Sequence, residues 1–436
     1  MASPPPLLFL VPVLVLVLIS SASAITYPKE ALPTKSGYLT VNSTTGSAIF
    51  YTYYESQSPP KNTPNSQTPI LIWLQGGPGC SSMLANYFEL GPWLVNQQVK
   101  LDSNPNSWNK QFGLLFLDNP IGTGFSIAAT PDEIPRDQNS VANHLYIAIT
   151  KFISLDKSFK TRPIYITGES YAGKYLPALG YYILKKNAIS SYEKRINLAG
   201  VAIGNGLTDP EIQVQDHAIT AFHLGLINEK QKAQLEKLQL KTVAFIKRRK
   251  WSDASDARAD VLATLTNMSG LATLYDVRKL APYPNNVLVS FLNDEGVKRA
   301  LHVPGNITFS KCSTAVADAM QEDIMKSVRP MVEWLVKRTR VLLYQGQTDL
   351  RDGPTSTAAW VREMRWEGIG GYLGAEKEVW RVGGLLAGYV QRWERFSNVV
   401  VLNAGHLVPT DQPLNSQIMM QDWVLEKGLF GGGGKV

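Results

Sequence analysis

The stretch PIYITGESYAGKY, residues 163–175, decides how the rest of this sequence is interpreted. Its apolar start, residues 163–167, has the length and composition of a buried strand, and a helical pattern follows. Between them lies Gly168-Glu169-Ser170-Tyr171-Ala172, where small residues let the chain turn sharply and lift the serine hydroxyl above the sheet edge. Taken alone, the pentapeptide leaves two alternatives open: a catalytic serine, or an ordinary serine in a strand-to-helix turn.

The sequence on both sides of this stretch has the pattern of a mostly parallel sheet covered by helices. Residues 141–152 place apolar side chains at helical spacing between two strand-like runs, as a crossover helix between parallel strands requires. Short apolar runs typical of strands buried on both faces occur at residues 69–74, 113–117, 163–167, 198–203, 341–344 and 398–402.

The segments outside these runs complete the predicted architecture. Residues 37–54 alternate polar and apolar side chains around a turn, which predicts a β-hairpin. Long amphipathic helices, such as residues 229–250, dominate from about 210 to 335. They predict a helical insertion, or cap, within a single domain of residues 25–436 that closes with a helix near 416–426.

A histidine and an aspartate that could activate Ser170 both follow predicted strands. A serine hydroxyl is a weak nucleophile unless a histidine takes its proton and a carboxylate orients that histidine. Of five histidines, His406 directly follows the run 398–402, and Asp349 follows the run 341–344, at the carboxyl ends where α/β active sites form. The order Ser170, Asp349, His406 is that of the catalytic triad in α/β-hydrolases, so we predict that fold.

Backbone donors for an oxyanion can also be assigned. The run Trp73-Leu74-Gln75-Gly76-Gly77-Pro78-Gly79 follows a predicted strand, and glycines let a backbone N–H approach a substrate oxygen closely. The N–H of Tyr171, directly after the serine, supplies the second donor in this fold. A tight structural turn explains the glycine run equally well at this point.

Composition bounds the class of protein. Apolar residues make up 44% of the 436 residues and charged residues 18%, with ten Trp and eighteen Tyr, so the chain can form a packed core. The net charge of +7 is modest for this length. Its densest basic run, residues 247–250, is expected on a solvated helix surface, and we predict no nucleic-acid partner.

The start of the chain has the pattern of a signal peptide. Residues 1–24 contain no charged side chain and carry an apolar run, residues 7–19, followed by Ala22-Ser23-Ala24. This predicts cleavage after Ala24, with an uncleaved signal anchor as the alternative because the start lacks Lys and Arg. No later run reaches the roughly 20 apolar residues needed to span a bilayer. We therefore expect a secreted or vacuolar protein without membrane contact after cleavage.

Two further features become relevant if the chain enters the secretory pathway with its oxidising compartment. Asn42, Asn267 and Asn306 each start an Asn-x-Ser/Thr sequon, which is a candidate N-glycosylation site. The two cysteines, Cys80 and Cys312, could close a long loop as a disulfide or be unrelated buried thiols.

Seven motifs of this sequence resemble those of a known family. The sequence resembles the serine carboxypeptidase family, most closely its plant serine carboxypeptidase-like members, over nearly the whole chain after residue 24. The motifs that carry the resemblance are WLQGGPGCSS (73–82), FELGP (88–92), NPNSWN (104–109), FLDNPIGTGFS (116–126), GESYAGKY (168–175), GNGLTDP (204–210) and AGHLVP (404–409).

The resemblance implies residue roles as well as a reaction. It implies nucleophile Ser170, base His406, orienting Asp349, and oxyanion donors Gly77 and Tyr171. It also implies release of C-terminal amino acids from peptides or proteins that have a free C-terminus. The family's site for the substrate's terminal carboxylate corresponds here to Gln75, Gly76, Glu169 and Glu89. It further implies a disulfide between Cys80 and Cys312.

Two departures and two alternatives accompany the resemblance. Gln75 stands where the family has Asn, and its extra methylene moves the amide by more than an ångström. Most relatives have several disulfides, whereas this chain has two cysteines. The alternatives are a serine carboxypeptidase-like acyltransferase that uses the same triad, and a catalytically silent binding protein. No metal cluster or cofactor motif occurs in the sequence, and we predict that the chemistry needs none.

Overall fold

The structure is a computed structural model that describes residues 25–61 and 63–431. The predicted signal peptide, residues 1–24, lies outside the described residues. The strands are β1 (Lys35–Thr40), β2 (Ala48–Tyr54), β3 (Ile70–Leu74), β4 (Trp93–Val95), β5 (Leu101–Ser103), β6 (Gly113–Leu117), β7 (Ile164–Glu169), β8 (Leu198–Gly204), β9 (Arg340–Gly346), β10 (Glu378–Val382), β11 (Leu385–Trp393) and β12 (Phe396–Val401).

The helices lie between and around these strands. They are α1 (Met83–Phe88), α2 (Gln138–Ser154), α3 (Ala172–Ile189), α4 (Pro210–Gln213), α5 (His217–His223), α6 (Glu229–Lys247), α7 (Trp251–Ser269), α8 (Val287–Asn293), α9 (Glu295–Ala300), α10 (Thr314–Ala319), α11 (Arg329–Leu335), α12 (Pro354–Arg362), α13 (Ile369–Gly374), α14 (Val408–Asp411) and α15 (Pro413–Leu425).

The main sheet has the strand order β1-β2-β6-β3-β7-β8-β9-β12-β11-β10. From β6 through β12 the neighbours are parallel, whereas the flanking strands at both edges pair antiparallel. The central strand β7 therefore carries Ser170 to the middle of the carboxyl edge. β9 and β12, which precede Asp349 and His406, are adjacent and parallel, so their carboxyl ends meet at the same edge.

Hydrophobic side chains cover both faces of this sheet. Along β3, Ile70, Ile72 and Leu74 belong to one core cluster, and the alternate residues Leu71 and Trp73 belong to the other. This alternation follows from the two-residue period of a strand. α2 and α3 pack on the first face, and α1, α8 and α15 pack on the second. The predicted parallel sheet with helices on both faces is confirmed.

Helices α4 to α11 lie in the chain between β8 and β9. α5, α6 and α7 pack around a smaller hydrophobic cluster that includes Ala218, Leu235 and Val261. An N-terminal capping box at Asn228 and Gln231 fixes the start of α6, because each side chain bonds the other's backbone N–H.

One detail of the prediction was wrong, and one element was missed. The basic run 247–250 was expected on a helix, but α6 ends at Lys247, and the next residues form an exposed turn in which Arg249 has φ of 56°. The next helix, α7, starts at Trp251, and the chain reverses direction in the turn before it. The hairpin β10–β11 was not predicted, because exposed Val379, Leu385 and Leu386 hide the polar–apolar alternation of a half-buried strand.

Candidate active site

A strained turn presents Ser170 at the end of β7. β7 ends at Glu169 and α3 begins at Ala172, and Ser170 between them has φ of 62°, which is uncommon for a residue with a side chain. The Ser170 N–H donates to Gly204 O at 3.0 Å, which fastens the turn to the neighbouring strand. Such a strained turn between a strand and a helix is the geometry of a nucleophile elbow.

Glycines are required beside this turn. A Cβ on Gly76 would lie 2.6 Å from both Ser170 Cβ and Tyr171 N, and a Cβ on Gly168 would lie 2.2 Å from Leu74 O. Real side chains do not tolerate such distances, so the β3 loop can approach the serine only because these positions are glycine.

Asp349 and His406 form a buried pair. The Nδ1 of His406 lies 2.8 Å from Oδ2 of Asp349, and both side chains are almost completely inaccessible to solvent. With Nδ1 held by the carboxylate, Nε2 is the nitrogen that remains for a proton transfer, and it has no hydrogen-bond partner among the described residues. His406 and Ser170 line the same cavity, so the structure brings the three predicted triad positions together.

The surroundings of His406 favour its protonated form. Burial lowers the pKa of His406, but the charge and the hydrogen bond of Asp349 outweigh burial and raise the pKa to about 9. Tyr275 stacks on the imidazole with ring centroids 4.4 Å apart, and its backbone carbonyl accepts from the backbone N–H of His406 at 2.7 Å. The stacking and the Asp349 hydrogen bond hold the ring, and the carboxylate stabilises an imidazolium that forms when the histidine accepts a proton.

Asn205 is a site residue that sequence reasoning missed. Its Nδ2 donates to Asp349 Oδ2 at 2.7 Å, and its Oδ1 accepts the Gly346 N–H at 3.1 Å. Backbone N–H groups of Arg351 and Asp352 complete the donors around the Asp349 carboxylate. The available signal was the GNGLTDP motif that contains Asn205, but nothing in its spacing pointed to Asp349.

The two predicted oxyanion donors belong to two loops that meet beside the serine. Gly77 lines the cavity and has φ of 115°, which a residue with a side chain rarely adopts. Tyr171 is the N-cap of α3, so its N–H lies at the positive end of the helix dipole. The close approach of Gly76 to Tyr171 N brings the two loops together.

Glu89, Glu169 and Gln75 form a buried polar group next to Ser170. Gln75 Nε2 donates to Glu169 Oε1 at 2.8 Å, and Gln75 Oε1 accepts from Trp73 Nε1 at 2.8 Å. The longer side chain of Gln75 thus reaches Glu169, and the Trp73 contact fixes which end of the amide faces it. Glu89 lies behind, at the C-terminal end of α1.

The two carboxyl groups are arranged to share a proton. Burial, followed by the charge of Glu169, raises the pKa of Glu89 well above its ordinary value. Burial also raises the pKa of Glu169, to about 7, against the opposing effects of His406 and Gln75. As carboxylates, both oxygens of Glu89 and Oε2 of Glu169 have no donor among the described residues. A proton on Glu89 gives a partner to two of these three oxygens, because Glu89 then donates to Glu169.

Several of these groups border one cavity of about 350 Å³ that opens to solvent, whereas Glu89, Asp349 and Asn205 lie behind its wall. Ser170, His406, Gln75 and Glu169 form one part of its wall. A nucleophile, a base and a carboxyl group thus face a single substrate-sized space, which is the arrangement of an acyl-transfer site.

Comparison with known proteins identifies the same family as the sequence motifs. A family model described as Serine carboxypeptidase matches residues 26–426. The chain belongs to the serine carboxypeptidase family. Its resemblance to plant serine carboxypeptidase-like proteins is confirmed by Serine carboxypeptidase-like 50 from Arabidopsis thaliana. That protein is 53% identical over 408 residues, which are 93% of this chain and 90% of the relative.

More distant serine carboxypeptidases match over a similar span. Probable serine carboxypeptidase CPVL from Homo sapiens is 33% identical over 414 residues, which are 92% of this chain and 85% of that protein. Among solved structures, Kex1(delta)p, a prohormone-processing carboxypeptidase from Saccharomyces cerevisiae, has a TM-score of 0.81 at 24% identity. The match covers 92% of this chain and 93% of that one, and it confirms the α/β-hydrolase fold.

In this member of the serine carboxypeptidase family, the two cysteines are bonded to each other. The Cys80–Cys312 disulfide spans a sequence separation of 232 residues, and Ser313 N donates to Gly79 O at 2.8 Å beside it. The bond fastens the glycine loop that carries Gly77 to the segment before α10. The disulfide expected from the resemblance is confirmed.

The remaining predicted sites lie on the surface. Asn267 and Asn306 are exposed, whereas Asn42 is half-buried and its Oδ1 accepts the Thr44 N–H. Within residues 25–61 and 63–431, no group of His, Cys, Asp and Glu is arranged to hold a metal ion. No helix in this part of the serine carboxypeptidase has the length and apolarity needed to cross a bilayer.

Proposed function

We propose that the protein is a serine carboxypeptidase that releases C-terminal amino acids from peptides and proteins. The observation that carries this proposal is the position of Glu169 and Gln75 beside Ser170 in the wall of one cavity, with Glu89 buried behind Glu169. A hydrolase without a carboxylate to recognise has no use for two buried acids at this place, because burying them is costly. The family to which the chain belongs supports the same activity.

The proposed reaction begins with attack on the last peptide bond. His406 Nε2 takes the Ser170 proton as the oxygen attacks the carbonyl carbon, and Asp349 stabilises the imidazolium. The N–H groups of Gly77 and Tyr171 donate to the oxyanion that develops. His406 then returns the proton to the leaving amino group, so the C-terminal amino acid departs and an acyl-Ser170 ester remains. Water, activated by His406, hydrolyses the ester.

Recognition of the terminal carboxylate sets the proposed pH dependence. A carboxylate accepts hydrogen bonds but cannot donate them, and the proton of Glu89 is donated to Glu169, so the substrate carboxylate binds only while Glu169 is protonated as well. Gln75 supplies a further N–H. As the pH rises through the pKa of Glu169, about 7, Glu169 loses its proton and repels the substrate carboxylate, so KM should rise towards pH 8. The raised pKa of His406, about 9, acts in the opposite direction on kcat, because only neutral His406 can accept the Ser170 proton. We therefore expect an acidic optimum only where the gain in substrate binding outweighs the loss of neutral His406. A maximum near pH 8 with unchanged KM would contradict this account.

The decisive experiment compares the wild type with Ser170→Ala. Release of C-terminal amino acids from blocked dipeptides is measured between pH 4 and 8, and a fluorophosphonate probe reports the reactivity of Ser170. Release that disappears in the variant supports the peptidase. Probe labelling without release indicates an acyltransferase with the same acyl-enzyme, and the absence of both indicates a silent relative.

We also propose that the protein travels through the secretory pathway to a secreted or vacuolar location. The disulfide supports this route, because such bonds persist in oxidising compartments. The backbone nitrogen of Ile25 lies 3.1 Å from each carboxylate oxygen of Asp294, so cleavage after Ala24 places a new ammonium beside an anion. Mass spectrometry of the purified protein should find Ile25 first and glycans at Asn267 and Asn306. A different first residue would contradict the assigned cleavage site.

A further inference from the structure

A lysine forms part of the cavity wall, apart from the groups that the proposed mechanism uses. Lys311 lines the cavity together with Asn285 and Asn286. Its Nζ donates to Asn285 Oδ1 at 2.8 Å and to Asn286 Oδ1 at 3.4 Å. No carboxylate lies within ion-pair distance of this ammonium in the described part of the chain. Lys311 thus brings an uncompensated positive charge to the cavity.

The backbone around Lys311 is held firmly. Its carbonyl accepts the Ser81 N–H at 2.9 Å, and the next residue, Cys312, is bonded to Cys80. Both contacts attach Lys311 to the segment that leads from the glycine loop into α1. The backbone of Lys311 is therefore fixed with respect to the glycine loop, and the ammonium itself is held by the oxygens of Asn285 and Asn286.

Several contacts place Lys311 on the side of the cavity that takes the C-terminal residue. Lining residue Leu84 belongs to α1, whose C-terminal end carries Glu89. Lining residue Tyr283 packs edge-on against Phe88, the neighbour of Glu89, with ring centroids 6.4 Å apart. Asn285 and Asn286, which contact Lys311, follow Tyr283 in the chain after Pro284. Lys311 and Glu169 therefore border the same space, and Glu89 lies behind Glu169.

We propose that Lys311 selects substrates whose C-terminal residue carries an acidic side chain, Glu or Asp. This inference rests on the proposed carboxypeptidase function and names its substrate class. An ammonium has three N–H donors, and the two asparagine oxygens use two of them, so one remains for a substrate carboxylate. The Glu89–Glu169 pair takes the terminal carboxylate, and the side-chain carboxylate meets Lys311. A hydrogen bond between two charged groups is stronger than one between neutral groups.

The test compares two blocked dipeptides that differ only in charge. Benzyloxycarbonyl-Phe-Glu and benzyloxycarbonyl-Phe-Gln have nearly the same shape, so the ratio of their kcat/KM values reports recognition of the side-chain charge. For the wild type at pH 5.5 we expect a ratio of about ten, the size of one partly exposed charged hydrogen bond. Lys311→Met should bring the ratio to about one, and Lys311→Glu should bring it below one and favour a C-terminal Lys. The matched control is Lys230→Met, an exposed lysine of α6, which should keep the wild-type ratio.

A binding measurement separates this inference from the proposed function. Calorimetry with Ser170→Ala, which needs no turnover, compares the Kd values of the same two dipeptides, with and without Lys311→Met. Tighter binding of the Glu peptide that disappears with Lys311→Met supports the inference even if no peptide is hydrolysed, an outcome that overturns only the peptidase. Equal Kd values for the two peptides, or a preference that survives Lys311→Met, overturn the Lys311 proposal.

Discussion

The amide of Asn205 connects the orienting acid of the site to strand β9. Asn205→Ala removes the Nδ2 donor from Asp349 and leaves the buried Gly346 N–H without its acceptor. We expect kcat to fall about tenfold with little change in KM, because the acid–base pair loses its position while the carboxylate site keeps its contacts.

Steady-state kinetics with a blocked dipeptide measure both parameters for Asn205→Ala. Asn205→Asp is the informative companion, because it keeps the shape but places a second buried anion beside Asp349. It should lower kcat further and shift the pH profile. A kcat for Asn205→Ala within twofold of the wild type would show that Asn205 does not position the acid.

The buried carboxyl pair should also make stability depend on pH. Between the ordinary pKa of a glutamate and the raised pKa of Glu169, about 7, the folded state binds more protons than the unfolded state. The free energy of unfolding therefore falls as pH rises through this window. Glu89→Gln removes one of the two titrating acids and should flatten this fall, because the raised pKa of Glu89 no longer contributes to it.

Urea unfolding at pH 4.5, 6 and 7.5 measures this slope. Glu376→Gln, which removes an exposed carboxyl group, is the control and should leave the slope unchanged. If Glu89→Gln and the wild type lose stability equally between pH 4.5 and 7.5, the pair does not share a proton in the folded state.

At the scale of elements, one buried ion pair joins α3 to the 3₁₀ turn Gln321–Asp323. Lys174 Nζ lies 2.9 Å from Asp323 Oδ2, and the Tyr171 hydroxyl and Gln138 Nε2 both donate to the same oxygen at 2.6 Å. Lys174→Met leaves the Asp323 charge buried without its cation, so we expect a loss of about 3–5 kcal/mol in the free energy of unfolding.

Denaturant unfolding of three variants separates the charge from the packing. Lys174→Met combined with Asp323→Asn should recover part of the stability, because no unpaired charge remains. Lys151→Met, an exposed lysine of α2, should have almost no effect. A loss below about 1 kcal/mol in Lys174→Met would show that the pair is not a link between the two elements.

At the scale of the whole molecule, the Cys80–Cys312 disulfide joins distant parts of the chain. It closes a loop with a sequence separation of 232 residues, and a loop of this length restricts the unfolded chain strongly. Reduction should lower the free energy of unfolding by about 3–5 kcal/mol. It should also reduce the Glu-over-Gln preference, because Lys311 loses its covalent attachment to the glycine loop.

Thermal unfolding with and without a reductant measures the effect of the bond. The chain has only these two cysteines, so a Cys80→Ser/Cys312→Ser variant should not respond to reductant at all. An identical Tm for oxidised and reduced wild type would contradict a stabilising role.

The sequence alone determined the order of the strands and helices along the chain and the positions of the three triad residues. Buried parallel strands appear as short apolar runs, and catalytic residues follow such runs because the carboxyl ends of parallel strands share one edge. Ser170, Asp349 and His406 could therefore be placed from local pattern, and the structure brings them together. The glycines around Gly77 were recognisable for a similar local reason.

Only the tertiary structure decided which side chains meet across long separations. Asn205 reaches Asp349, Lys311 enters the cavity wall, and Glu89 faces Glu169 because separate elements pack together, and no local pattern records such contacts. From the sequence, the longer side chain of Gln75 left the position of its amide open. In the fold, Trp73 donates to Gln75 Oε1 and so fixes the orientation of the amide. A strand is recognised from the period and polarity of neighbouring residues, so the sequence could predict the strands. These side-chain contacts depend on how distant elements pack together, so the sequence could not predict them.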